Sequence, residues 1–564
     1  MKLVTPPKDK LLFLPLGGSG EIGMNLNLYG YDGHWLIVDC GVTFGDIDYP
    51  SVDIVMPDIS VIEEHKKKIS GLVLTHAHED HIGAVHYLWP YLKCPIYATP
   101  FAAEVLKFKF KENELDFDEK ELKINIIQIG SNIKINGFQI EIINMTHSIL
   151  EPTGLLIKTK VGSVFHTGDW KIDFSPQIGK AIDEYRLKEL GKKDIMAMIC
   201  DSTNIFVKGN AGSEADVVDK LTEQIRESEK RVFVTTFASN VMRLKTIVNI
   251  GKTLGRQIAF AGRSMHRMLE IANNCGYLME MPTIIKEKNI LKIPREETLV
   301  ICTGSQGESR GALNRIVNDN HKTIKMNEGD KVIFSSRIIP GNEKYIYKLQ
   351  NKLSGKGVDV IQSSSDLRIH VSGHPGREDL AQMYKWVKPK ALIAVHGETR
   401  HINAHVKFAK DKKIKEAIPA KNGHIIEITS KAVIIAGEVE SGRLVVDGNY
   451  IINRNSEVLK SRHKMMFSGI VNVLLILDAN NNLLLKPSIF VEGLVDNNVE
   501  ENPKDLILDI IMSHASEFVK ITQENKKQYA DLLSVELKRN INHKYSKKPI
   551  INLMIEIINK KRSN

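Results

Sequence analysis

Cysteine is scarce in this chain: there are five in 564 residues, Cys40, Cys94, Cys200, Cys275 and Cys302, and no two stand in a CxxC spacing. Scattered mostly inside apolar runs, they exclude a disulfide framework or a thiolate zinc site and suit small buried hydrophobes. Long apolar runs are missing too; none approaches the roughly 20 residues that cross a bilayer. At the N-terminus Pro6, Pro7, Lys8, Asp9 and Lys10 interrupt any basic-then-apolar leader. A cytoplasmic protein without membrane attachment is therefore expected. Charge of one sign is only mildly in excess, at +9, which is compatible with a polyanionic partner and equally with an ordinary basic protein. Lys547, Lys548, Lys560, Lys561 and Arg562 near the C-terminus either touch nucleic acid or form a solvated tail.

What is present is more specific. The length exceeds one hydrophobic core and predicts about three or four domains. Short apolar runs separated by turn residues fill the first 200 positions, as in GLVLT, FQIEIIN and IMAMICDST. From about Gly212 the texture becomes alternating helices and buried strands, the pattern of a parallel sheet. The first texture returns with ALIAVHGE, so one kind of domain is inserted into another. VDGNYIINRNSEVLKSRHK reads as a polar connector, and the remainder suffices for a small α+β domain.

Gly18 to Gly23 fit the dinucleotide pattern GxGxxG, with Asp39 near the position of a ribose-binding acid. That pattern needs a helix after the glycines. MNLNLYGYDGHWLIVDCG instead reads as a β-hairpin turning at Asp32-Gly33, so the glycines need another role.

GLVLTHAHEDHIGAV carries the strongest chemistry. A strand ends in His76, His78, Asp80 and His81, four metal-capable side chains within six positions. Nitrogen and oxygen donors crowded in this way suit zinc and, less strongly, manganese. Alternation points His76 and His78 the same way, and Asp80 and His81 fall past the bend, where they can face a second ion. His166 is read as a packing residue and His86 as a surface residue.

This HxHxDH string resembles the signature of the metallo-β-lactamase superfamily. Asp201 in ICDSTN, His370 in HVSGH and His396 in AVHGE resemble, in order, the motifs of its β-CASP branch, whose members cut nucleic acids. TTFASN, CTGSQGE and SSRIIPGNE are similar to loops of the ribonuclease J family, and that resemblance runs over essentially the whole chain, least closely at the C-terminus. It implies an α/β fold: a metallo-β-lactamase αββα sandwich over 1–210 and 366–445, an inserted β-CASP α/β domain over 211–365, a linker over 446–465 and a C-terminal α+β domain over 466–564.

The resemblance further implies two divalent ions per chain, zinc or alternatively manganese. His76, His78 and His147 would hold one, Asp80, His81 and His396 the other, and Asp169 would bridge them, while Asp39 fixes the histidine loop from behind. Asp80, Asp201 and His370 are the expected catalytic residues: Asp80 orients the attacking hydroxide, and Asp201 holds His370 as the acid for the leaving oxygen. Ser372, Gly373 and His374 are expected to grip a phosphate of RNA. Ser239 and Asn240 either receive a 5'-monophosphate or cap a helix; Arg337 and Lys344 are either backbone contacts or surface salt-bridge partners. The implied activity is a 5'-to-3' exoribonuclease favouring monophosphorylated ends, with endonuclease activity, acting in RNA maturation and decay. The alternatives are a β-CASP nuclease acting on DNA and an inactive nucleic-acid-binding scaffold. A homodimer or homotetramer with RNA-decay or ribosome-associated partners is expected.

Overall fold

The structure, a computed structural model, describes residues 3–45, 50–112, 121–279, 281–339, 341–364, 367–496 and 502–558. The basic Lys560, Lys561 and Arg562 and the expected boundary at 365/366 lie outside these residues. Contacts divide the chain into two units, Met1–Thr43 with Met56–Arg443, and Phe44–Val55 with Leu444–Asn564.

In the first unit an eight-stranded and a seven-stranded sheet lie face to face. Their strands alternate: in Phe138–Asn144 the side chains of Phe138, Ile140 and Ile142 turn inward while Gln139 is exposed. These meet Phe13, Tyr29, Leu36 and Val38 of the opposite sheet in one core, and each such side chain contributes about 1.5–3 kcal/mol by leaving water. In strand Ile195–Asp201 the inward residues are Ala197 and Ile199. Met198 and Cys200 face the other way, against Leu187, Leu380, Met383 and Ile402 of the helices Glu184–Leu190, Arg377–Val387 and Thr399–Asp411. The hairpin expected after the glycine loop is present as Leu26–Tyr31 and His34–Val38, with Asp32 and Gly33 both at positive φ (47° and 80°). A two-residue turn of this hand follows the natural twist of paired strands.

The inserted segment forms a five-stranded parallel sheet in the order Gln257–Ala261, Thr298–Cys302, Val232–Thr235, Lys331–Phe334, Asp359–Gln362. Its first strand in sequence is central, so the chain winds off to both sides. The loops at the strands' carboxyl ends then open at a switch point, the usual location of a ligand crevice. The segments joining insert and sandwich are held by buried charge. Lys171 and Asp173 pair at 3.0 Å, and Asp173 also accepts hydrogen bonds from Ser213 Oγ (2.7 Å) and the Glu214 amide (3.1 Å). Glu214 pairs with Arg243 at 2.9 Å, and Arg243 donates to the carbonyls of Ser335 and Ile369.

The second unit has a three-stranded sheet in the order Ser488–Glu492, Ile470–Asp478, Ile550–Ile558. Val471, Val473, Leu475 and Leu477 face Ile507, Ile511, Leu533, Leu537 and Ile541 of the helices Pro503–Ser513 and Lys526–Tyr545. One expectation is corrected. Residues 446–465 are no linker: they lie within a hairpin of Arg443–Asp447 and Tyr450–Asn453 and the helix Glu457–Ser468. Arg462 fastens that helix to the hairpin by donating twice to Asp447, at 2.6 and 2.9 Å. No helix among the described residues is long and apolar enough to cross a membrane.

Arg243 and Glu214 are almost wholly buried, so removing one charge strands the other in the interior. Glu214→Ala is expected to destabilise the insert by about 3–5 kcal/mol, whereas Glu223→Ala, which breaks the exposed pair with Lys220, should leave the unfolding midpoint unchanged. Denaturant titration of both variants checks the contrast.

Candidate metal centre

The centre is assembled at the carboxyl ends of strands. Strand Ile69–Val73 runs out into His76 and His78, and the one-turn helix Glu79–Ile82 then turns Asp80 and His81 to the other side. His147 follows Phe138–Asn144, Asp169 follows Ser163–His166, and His396 follows Ala391–Val395. The donor atoms of His76, His78, His147 and Asp169 all lie within 4.8 Å of one another, as do those of Asp80, His81, Asp169 and His396. A third grouping, Asp169, Asp201, His374 and His396, overlaps the second. In the first group His78 Nδ1 lies 3.1 Å from His76 Nε2 and 3.0 Å from His147 Nε2. In the second His81 Nε2 is 3.2 Å from Asp169, and His396 Nε2 is 3.1 Å from Asp80.

Hydrogen bonds behind the clustered ring nitrogens set the tautomers. The carbonyl of Gly373 can only accept, so His147 Nδ1 carries the proton at 2.6 Å. His81 Nδ1 donates to Asp39 at 2.7 Å, and Asp39 also accepts from the Thr75 amide and hydroxyl, both at 2.8 Å. His396 Nδ1 meets the Thr203 hydroxyl at 2.7 Å. Each of these three rings thus directs its Nε2 at the centre.

The glycine loop has its role here. Gly18 adopts φ 81°, and a Cβ on it would fall 2.1 Å from Asn25 Oδ1. Ser19–Gly20 pairs with Gly397–Glu398 beside His396, and Asn25 bonds the Asp80 carbonyl through its amide and its side chain. Gly41 passes so close that a Cβ would lie 1.7 Å from that same carbonyl.

Electrostatics divides the histidines. Burial holds His76 and His147 well below the usual imidazole range and takes His78 down to about 4. Burial also opposes charge on His81, His374 and His396, but the surrounding carboxylates outweigh it, and His396 rises to about 10. Burial raises Asp80, Asp169 and Asp201, and the facing imidazoles overcome this and hold all three below the usual carboxylate range. Neutral imidazole nitrogens beside ionised carboxylates are a donor set that fits divalent cations.

Three expectations about neighbouring residues change. Asp201 is bonded to His374, whose Nδ1 lies 2.8 Å from Oδ2, and not to His370. Ser372 Oγ accepts from the His374 amide and from Asn204 Nδ2, which holds the turn that carries His374. His370 remains on the segment returning from the insert, with Nδ1 3.5 Å from Arg243 Nη1; burial and the Arg243 charge hold it well below its ordinary value. The Asn240 side chain is committed as a helix cap, accepting from the Arg243 amide at 3.0 Å and reaching Glu214 at 3.4 Å. Ser239 beside it is half-buried. His86, expected at the surface, is buried against Tyr87 and Phe110. His166 packs inside, 2.9 Å from the Tyr29 hydroxyl. Arg337 donates to Asn204 at 2.6 Å, a link within the protein that sequence reasoning did not foresee. A cavity of about 310 Å³ opens beside His147, lined by Met145, Leu150, Glu151, Met242 and Tyr277 among others.

A two-sheet sandwich, an HxHxDH turn between its strand ends and an inserted parallel domain define a metal-dependent hydrolase of the metallo-β-lactamase class with a β-CASP insertion. Residues 34–187 match the beta-lactamase superfamily domain and 367–419 the Zn-dependent metallo-hydrolase RNA specificity domain. Residues 229–353 match the beta-CASP domain of ribonuclease J, and 457–557 the ribonuclease J C-terminal domain. Ribonuclease J of Sinorhizobium meliloti is 38% identical over 552 residues, 97% of each chain. Ribonuclease J2 of Bacillus subtilis is 32% identical over 491 residues, 86% of this chain and 88% of that one. The chain belongs to the ribonuclease J family. A crystal structure of an Enterococcus faecalis V583 protein of unknown function shares the fold, with a TM-score of 0.52 at 18% identity over 74% of this chain and all of that one.

Asp39 anchors both the loop and the His81 ring. Asp39→Ala is expected to weaken divalent-ion binding by about 10–100-fold, as measured by competition against a chromophoric chelator.

Proposed function

We propose that this metal-dependent RNA hydrolase is a 5'-to-3' exonuclease that favours 5'-monophosphorylated RNA and also cuts internally. His76, His78, His147 and Asp169 would hold one divalent ion and Asp80, His81, Asp169 and His396 a second, zinc or manganese. Ions so placed supply Lewis-acid chemistry, neutralising a phosphodiester and making water more acidic. The observation that carries the reading is the His374–Asp201 pair, set beside the carboxylate common to both donor groups.

In this reading the His374 imidazolium donates its proton to the departing 3'-oxygen, leaving a 3'-hydroxyl on one product and a 5'-phosphate on the other. Asp201 keeps that ring charged and aligned by accepting from Nδ1, so the free Nε2–H is the transferable proton. Asp80 orients the attacking water. The neutral His370 is a hydrogen-bonding neighbour, not the acid. Ser372, Gly373 and Ser239 border the path of the RNA phosphates, and the cavity beside His147 gives room for a nucleotide. Family membership supports cytoplasmic action in RNA maturation and decay, as a homodimer or homotetramer with RNA-decay or ribosome-associated partners.

A product-size time course on one RNA carrying a 5'-monophosphate or a 5'-triphosphate tests this. Mononucleotides are expected from the monophosphate form, none after chelation or in His76→Ala, and no cleavage of DNA of the same sequence. Internal fragments regardless of the 5' end would make the protein chiefly an endonuclease, and uncut RNA throughout would sink the reading. His374→Ala should lower kcat by about 10²–10⁴-fold, and His370→Ala by much less; the reverse order would restore His370 as the acid.

A further inference from the structure

Behind the centre lies a buried polar chain that the chemistry above does not use. His405, on the helix Thr399–Asp411, places Nδ1 2.8 Å from Ser202 Oγ and Nε2 2.5 Å from the Tyr384 hydroxyl. Ser202 and His405 have no exposed surface and Tyr384 has 6%. Burial takes the His405 imidazole down to about 4, so at neutral pH it carries one proton, and one ring nitrogen donates while the other accepts.

The three members of this chain sit on three different segments. Ser202 directly follows Asp201 and precedes Thr203, whose amide bonds Asp201 at 2.8 Å and whose hydroxyl meets His396 Nδ1. Tyr384 lies on the helix Arg377–Val387, which leaves the turn carrying His374. The helix of His405 begins three residues after His396. One imidazole thus ties the chain next to Asp201 to the helices that follow His374 and His396. A shift between any two of these segments would leave a buried hydroxyl or ring nitrogen without a partner, which is costly in a dry interior.

We propose that His405 is a positioning residue for the hydrolysis: by bridging Ser202 and Tyr384 it fixes the relative placement of Asp201, His374 and His396. The proposal rests on the reading of His374 as the acid. Its effect belongs on turnover, because neither His405 nor the two residues it bridges line the cavity beside His147.

The test measures kcat, KM and bound metal per folded molecule in the full chain, for His405→Phe, His405→Asn, Ser202→Ala and Tyr384→Phe. His405→Phe and Ser202→Ala are expected to lose about 10–100-fold in kcat, with KM and metal content little changed. His405→Asn, whose amide reaches Ser202 from the position of Nδ1 but not Tyr384, should regain only part of the loss seen in His405→Phe. Ser202→Ala and Tyr384→Phe each delete a single hydroxyl and so keep the test open if His405→Phe does not fold. Unchanged kcat in Ser202→Ala and Tyr384→Phe, or an equal loss in His405→Asn and His405→Phe, overturns the proposal. His374→Ala, run alongside, separates the two readings. A normal kcat there sinks the acid assignment, whereas a slow His374→Ala with normal Ser202→Ala and Tyr384→Phe sinks only the positioning role.

Discussion

Asp169 is a carboxylate held 2% exposed at the meeting point of five imidazoles. Its oxygens lie 3.2 Å from His81, 3.7 Å from His147 and His396, 3.8 Å from His374 and 3.9 Å from His76. A charge removed from water is tolerated only where opposite charge or hydrogen bonds replace the lost hydration. The imidazoles come from four separate stretches of chain, so this one side chain requires their convergence. The carboxylates in turn favour the charged form of His81, His374 and His396, and divalent cations can take the place of that positive charge.

The sandwich achieves the convergence because both sheets direct the carboxyl ends of their relevant strands to the same edge. Asp39, His76, His147, Asp169, Asp201 and His396 all occur within a few residues of a strand terminus. Asp39 and His396 adopt left-handed backbone conformations, with φ 63° and 51°. Such conformations persist where surrounding bonds over-determine them, and at Asp39 those bonds are the three it accepts from Thr75 and His81. The clustered rings are fixed from behind by these bonds.

The contiguous part of the centre was legible in the sequence. His76, His78, Asp80 and His81 crowd one turn, and strand alternation together with the bend after His78 separates them into two directions. His147, Asp169 and His396 were reachable only through resemblance, since nothing local distinguishes a histidine after one strand from a histidine after another. The choice between His370 and His374 was not legible: both stand in HVSGH, and the path of the returning segment past Arg243 decides which ring meets Asp201. Asn240 was undetermined for a related reason, because a capping and a ligand-binding asparagine share one sequence position, and Glu214, 26 residues away, settles its use. The hairpin read as a linker had a local signal that polar composition masked, with Gly448-Asn449 turning between strands that carry β-branched pairs.

Strands Ile195–Asp201 and Ala391–Val395 are adjacent and parallel, with Asp201 opposite Val395. The whole inserted domain therefore departs from one strand and comes back to its nearest neighbour, and the helix Arg377–Val387 by itself provides the crossover such neighbours need. In sheet topology the insert is a detour of zero net displacement. Evolution can enlarge, reshape or exchange it without altering strand order or register beneath the clustered histidines and carboxylates, so the insert is free to diverge while the sandwich that carries them stays as it is.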